Sequence, residues 1–161
     1  MAVNTERLFK LLNSRGVSGD ESEIRAAITE IVRPLCDDIT VDTMGNLFAH
    51  KKGSGKSNVR AMVCAHMDEV GLIVSWFRDD GLLEYDTVGG IDPRVLVSKR
   101  VKIGKNNVPG VIGAKAIHLQ SEAEYHSVLG HDRLHIDIGA SSAEEAKKLV
   151  KLGDYVVFDT E

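Results

Sequence analysis

The sequence predicts an α/β segment followed by a β-rich module, and three observations carry that reading. Before Leu35, apolar residues recur at three- and four-residue steps, the period of an amphipathic helix. From Gly71 to Leu119 no helical period occurs; short apolar runs alternate there with turn residues, the pattern of a small barrel or sandwich. Between the two lies Cys64-Ala65-His66-Met67-Asp68-Glu69-Val70-Gly71, where an apolar run turns abruptly polar. A boundary is therefore expected near Gly71.

The elements follow in order. Asn4 or Thr5 can cap a first helix whose apolar face is Leu8, Leu11 and Leu12, with Phe9 beside it, and Ser14-Arg15-Gly16 ends it. Ser18 with Glu21 three residues later forms a possible capping box for a second helix, whose face is Ile24, Ala27, Ile28, Ile31, Val32 and Leu35 and whose end is marked by Pro34. Short strands are expected at Ile39 to Asp42 and Leu47 to His50, joined at Met44-Gly45-Asn46. The polar loop Lys51 to Asn58 holds Gly53-Ser54-Gly55-Lys56-Ser57. This is no phosphate loop, because His50 stands where the pattern needs glycine and a strand follows where a helix should. Val59 to Ala65, interrupted only by Arg60, reads as a buried strand.

In the second part, Leu72 to Arg78 and Leu82 to Thr87 flank Asp79-Asp80-Gly81, a hairpin signal. Further strands are expected around Val95 to Ile103, Val108 to Ile117, Leu134 to Gly139 and Tyr155 to Phe158. Ser121 to Arg133 is polar and irregular. His126, His131 and His135 lie close together there, but without helical pairing to a glutamate or a cysteine partner they read as loop residues rather than a metal site. Ser141 or Ser142 caps a short helix that runs to Val150, with Glu144 or Glu145 completing the box.

The bulk numbers narrow the function classes. The chain has 161 residues, 43% of them hydrophobic and 27% charged, the balance of an ordinary folded protein. No apolar run reaches spanning length, and MAVNTERLFK lacks the basic head and apolar core of a signal peptide, so a cytoplasmic protein without a membrane partner is expected. Net charge is -4, with no block of Lys or Arg to attract nucleic acid. Cys36 and Cys64 lie among apolar neighbours and read as reduced core residues.

One pair carries chemistry. On a strand His66 and Asp68 point to the same side, and an imidazole beside a carboxylate suits a metal ligand with an oriented partner. Alone the pair reads equally as structural, because zinc requires at least three protein ligands.

Four segments in order resemble a known family: CAHMDEVG (64–71), GGIDPRVLVSKRVKI (89–103), GVIGAKAIHL (110–119) and LHIDIGASSAEEAKKLV (134–150). They are similar to the dinuclear metallo-aminopeptidases of the tetrahedral type, which include glutamyl aminopeptidases and members labelled endoglucanases. VSGDESEIR (17–25) and DTMGNLFAHKKG (42–53) resemble the same family's opening. The resemblance implies that 1–70 is the N-terminal part of an α/β catalytic domain, that 71–154 is an inserted β-barrel dimerisation domain, and that 155–161 starts the return to the catalytic domain. It implies His66 as a ligand to one of two divalent metals, zinc or cobalt or else manganese, and Asp68 as the catalytic-site carboxylate that orients it. Peptide substrates, and dimers building a dodecamer through the β domain, are implied likewise.

In that family the bridging Asp, the general-base Glu and the remaining ligands follow the inserted domain, beyond Glu161. The resemblance therefore implies a first half, inactive by itself. A non-catalytic assembly module and one half of a split enzyme are the alternatives. Glu144-Glu145, on a capped surface helix, does not replace the missing base, and no pair of carboxylates is placed for glycan hydrolysis.

Overall fold

The structure, a computed structural model, describes residues 4–55 and 59–159. Residues 56–58 of the polar loop, with the Lys56 and Ser57 of the rejected phosphate-loop pattern, lie outside the described residues, as does Glu161. The chain forms two compact units, Met1–Glu69 and Val70–Glu161.

In the first unit, helix α1 (Thr5–Leu12) is capped by Asn4, whose side chain accepts from Arg7 N at 3.0 Å. Helix α2 (Ser22–Val32) gives way at Pro34 to a single 3-10 turn, Arg33–Leu35. Lys10 reaches Glu30 of α2 at 2.6 Å. The expected capping box at Ser18 does not form. Glu21 instead turns back to accept from Gly19 N at 2.6 Å, and the Ser18 hydroxyl bonds elsewhere. Strands β1 (Asp38–Val41) and β2 (Leu47–His50) pair antiparallel, Asp38 opposite His50 and Val41 opposite Leu47. Their turn is closed by the Asp42 carboxylate, which accepts from Met44 N at 3.0 Å and Asn46 N at 2.8 Å.

Val59 to Ala65 differs from expectation. No strand is formed there among the described residues, and Val59, Met62 and Val63 are 83%, 83% and 97% exposed. A strand that is apolar on both faces needs a neighbour to complete its ladder and a layer over each face. Among the described residues the run joins no sheet, and its apolar side chains at Met62 and Val63 stay exposed. Cys64 lies in it and is exposed, not a core residue, while Cys36 is half-buried; both are free thiols.

The second unit is a closed antiparallel barrel, one of the two architectures the strand pattern left open. Its strands are β3 (Gly71–Phe77), β4 (Leu83–Val88), β5 (Arg100–Ile103), β6 (Val108–Ala114), β7 (Leu134–Asp137) and β8 (Tyr155–Phe158), in the circular order β3-β4-β7-β6-β5-β8. The strand expected to lead out of this module is the one that closes it. Val156 of β8 pairs with Leu72 of β3 on one side and Ile103 of β5 on the other. Closure removes the free edges that an open sheet exposes.

Alternation along each strand fills the interior. Leu72, Leu83, Ile103, Ile112 and Ile136 are 0% exposed. Helix α4 (Ala143–Leu149), capped by Ser142, buries Ala143 and Ala146 against the same core. Gly81 makes the β3–β4 turn at φ +87°, where a Cβ would strike the Ala140 carbonyl.

Three boundaries shift from the sequence reading. Pro93–Val95 is a 3-10 turn capped by Asp92, and β5 starts only at Arg100, after Ser98 takes the left-handed conformation at φ 65°. Strand β6 ends at Ala114, and Ile117–Leu119 forms a 3-10 turn. The stretch read as irregular holds a one-turn helix, α3 (Glu122–Tyr125), closed by a capping box between Ser121 and Glu124.

Candidate functional site

The site is built on two backbone segments of the first unit. Arg15 to Asp20 forms a tight loop before α2. Ile24 N bonds Arg15 O at 3.0 Å, Asp20 N bonds Val17 O at 2.8 Å, and Val17 is 1% exposed. Residues 66–69 run beside this loop in a short parallel bridge, Val17 opposite Glu69. Glu69 N donates to Gly16 O at 2.7 Å, and Ser18 N donates to Glu69 O at 3.3 Å. Gly16 permits the approach, because a Cβ there would lie 2.8 Å from Ile24 Cγ2 and 3.3 Å from the Met67 carbonyl.

His66 and Asp68 come together as their spacing predicts, although no strand holds them. His66 Nδ1 lies 2.9 Å from the Asp68 carbonyl oxygen and 3.4 Å from Asp68 Oδ1. A carbonyl oxygen only accepts, so Nδ1 is the donor in this contact and Nε2 is the ring nitrogen left open to a ligand. The His66 side chain is 85% exposed, and Asp68 39%. The other carboxylate oxygen of Asp68 accepts from the Ser18 hydroxyl. That bond holds the Asp68 carboxyl below the usual range against the opposing effect of desolvation, with a weaker pull from His66. Desolvation raises the neighbouring carboxyl, Glu69, though the residue as a whole is exposed.

Ser18 is the residue that sequence reasoning assigned differently. Its position ahead of a helix signals a cap, and nothing local signals a partner fifty residues away.

The residues present fit one ligand's share of a metal centre and no more: an imidazole oriented through Nδ1 with Nε2 open. Among the described residues no group of three or more His, Cys, Asp or Glu side chains could hold a metal ion. The histidines of the second unit do not converge into such a group either. His131 Nε2 faces the Ile91 carbonyl at 3.1 Å, His135 on β7 faces Arg78, and His126 is exposed. No helix among the described residues is long and apolar enough to cross a membrane.

The M42 glutamyl aminopeptidase profile matches residues 45–161, from the β1–β2 turn through the last barrel strand. The chain belongs to that family. This M42 chain is 46% identical over 160 residues to a candidate aminopeptidase of Acetivibrio thermocellus, covering 97% of itself and 46% of that protein. It is 36% identical to the lysyl aminopeptidase of Pyrococcus furiosus, covering 91% of itself and 43% of that enzyme. Among solved structures, the Pyrococcus horikoshii TET1 peptidase, which can assemble into a tetrahedron or a large octahedral shell, superposes with a TM-score of 0.84 at 39% identity. That match takes in 98% of this chain and 47% of the peptidase. The chain thus spans less than half the length of these relatives, and its fold matches part of a TET aminopeptidase structure.

Proposed function

We propose that this M42 chain is the metal-presenting N-terminal half of an aminopeptidase that removes single residues from peptide N-termini, and that 1–161 by itself does not hydrolyse peptides. In this reading His66 Nε2 is a ligand to one of two divalent ions, and Asp68 is the residue that orients it. The observation that carries the reading is the His66–Asp68 contact, which leaves Nε2 as the free donor atom, set within a family match over 45–161. When bound, such a metal pair supplies an activated water and polarises the scissile carbonyl. The chain's own part is narrower: it fixes one imidazole in the ligating tautomer and keeps it accessible. Imidazole suits zinc, cobalt and manganese alike, so His66 does not select among them. The barrel, complete within the chain, is the proposed assembly element, building homodimers and from them the larger shell.

The test is release of lysine and glutamate from aminoacyl nitroanilides by purified 1–161, with zinc, cobalt or manganese added and with a chelator as control. No chelator-sensitive release is expected. Measurable release would overturn the claim of inactivity. In the longer protein, His66→Gln should lower metal content and cut kcat/KM by at least about a hundredfold, as loss of a metal ligand or its support commonly does. Unchanged metal content in that variant would remove His66 from the centre.

A further inference from the structure

We propose that Ser18 is a positioning residue for His66, acting through Asp68. The inference rests on His66 being the ligating imidazole and adds a residue from the opposite end of the unit.

The geometry forms a relay. The Ser18 hydroxyl donates to one carboxylate oxygen of Asp68, and the other oxygen faces His66 Nδ1 at 3.4 Å. The Asp68 carbonyl receives the Nδ1 proton at 2.9 Å. With one oxygen anchored on Ser18, the Asp68 side chain keeps its other oxygen turned to the ring, beside the main-chain carbonyl that faces the same Nδ1. The anchor matters because no ladder holds residues 59–68 among the described residues; the segment is fixed at its end by the bridge to Gly16, Val17 and Ser18. An imidazole that is 85% exposed has no packing to set its ring. In water, neutral histidine would otherwise divide between its two tautomers, and here hydrogen bonding decides which nitrogen is free.

Ser18 itself is held on both sides. Its backbone N–H is bonded to Glu69 O, and Val17 before it is buried. The hydroxyl therefore works from a fixed base. Alanine at Ser18 would remove the donor and leave the backbone bridge in place, whereas threonine would keep a hydroxyl.

The experiment uses 1–161 labelled with nitrogen-15 in its histidine rings, with tautomers read from the ring nitrogen shifts at a pH where those shifts themselves show the His66 ring to be neutral. The wild-type chain is expected to show His66 protonated on Nδ1. Ser18→Ala is expected to raise the Nε2-protonated fraction about fivefold, the ratio that one ordinary net hydrogen bond supports. Ser18→Thr should restore the wild-type pattern, and Ser18→Ala should change nothing further in an Asp68→Ala background, which has no side-chain acceptor for the hydroxyl. The Glu69 amide, bonded to Gly16, serves as the control. If it stays protected while the tautomer shifts, the relay stands. If the tautomer does not move, or if the Glu69 amide loses protection along with it, Ser18 is structural and the proposal is overturned. Metal content of the longer His66→Gln protein is read separately. A relay that holds in 1–161 beside an unchanged metal content would sink the ligand assignment and leave the positioning intact.

Discussion

Seventeen of the twenty buried apolar residues among the described positions lie in Val70–Glu161, and three, Val17, Ile24 and Ala27, lie in Met1–Glu69. The two units contain similar residue types, and the difference lies in closure. The barrel pairs each of its six strands with two neighbours and encloses one continuous core. The first unit has amphipathic helices and a two-stranded sheet, with apolar faces that include Leu8, Phe9, Leu12, Phe48 and Met62 exposed. A barrel is self-sufficient because its sheet is its own partner, while a layered α/β unit needs a second layer to cover each apolar face.

Truncation of buried and exposed side chains tests this contrast with the largest expected effect. Ile136→Ala empties a position that is 0% exposed and packed against Gly110, at an expected cost of about 2–5 kcal/mol to barrel unfolding. Met62→Ala, at a site 83% exposed, should change stability by less than about 0.5 kcal/mol. Urea titrations followed by resolved amide signals from each unit give both numbers. Comparable losses at the two positions would mean that Met62 is covered, and the contrast between the units would fail.

The glycine turns sharpen it at a smaller scale. Gly81 and Gly45 have nearly the same left-handed backbone, φ +87° and +86°. A Cβ at Gly81 meets fixed backbone at Ala140 and Ser142, whereas at Gly45 it meets the end of the Arg25 side chain at 2.6 Å. Gly81→Ala should cost the barrel about 1–3 kcal/mol. Gly45→Ala should cost less, near 1 kcal/mol of backbone strain plus whatever is lost as the guanidinium shifts from its 2.7 Å bond to the Gly45 carbonyl. Hydrogen-exchange protection in each unit measures the two, and equal costs would show that the Arg25 contact is as rigid as backbone.

The same contrast explains what was legible in the sequence. The barrel strands are close to where alternation and turn residues put them, because period-two patterning and glycine turns are local signals whose consequences are local. The contact between His66 and Asp68 agrees with their spacing, although the strand from which it was argued does not form. Val59 to Ala65 has the composition of a buried strand, but composition cannot supply the neighbour that makes a strand. Ser18 has the spacing of a helix cap, and its hydroxyl is taken by a carboxylate fifty residues on. Strand β8 looked like an exit from the module because its partners, Leu72 and Ile103, precede it by more than fifty residues. Failures of the sequence reading are thus concentrated where a long-range partner, present or absent, decides the outcome.

His135 gives the smallest expected effect and a direct view of the barrel wall. It sits on β7 with Arg78 Nη1 3.4 Å from its Nε2, and Glu84, Asp80 and Asp132 also face it. Burial is the main cause that lowers its pKa below the ordinary 6.5, and the Arg78 charge adds to it, while the three carboxylates oppose. Because Arg78 can only donate, the folded barrel favours the neutral ring. The unfolded chain therefore binds a proton that the folded one resists. The stability this group contributes is complete above 6.5 and declines as the pH falls from there toward the lowered folded value. The contribution of this one group is isolated by comparison with a variant. Between about pH 7.5 and 5.5 the barrel of the wild-type chain should lose more stability than that of His135→Gln, which lacks this one titrating group and keeps the rest. An equal loss in both would mean that the Arg78–His135 contact opens in solution, and that this part of the barrel wall is less tightly closed than its strand pairing indicates.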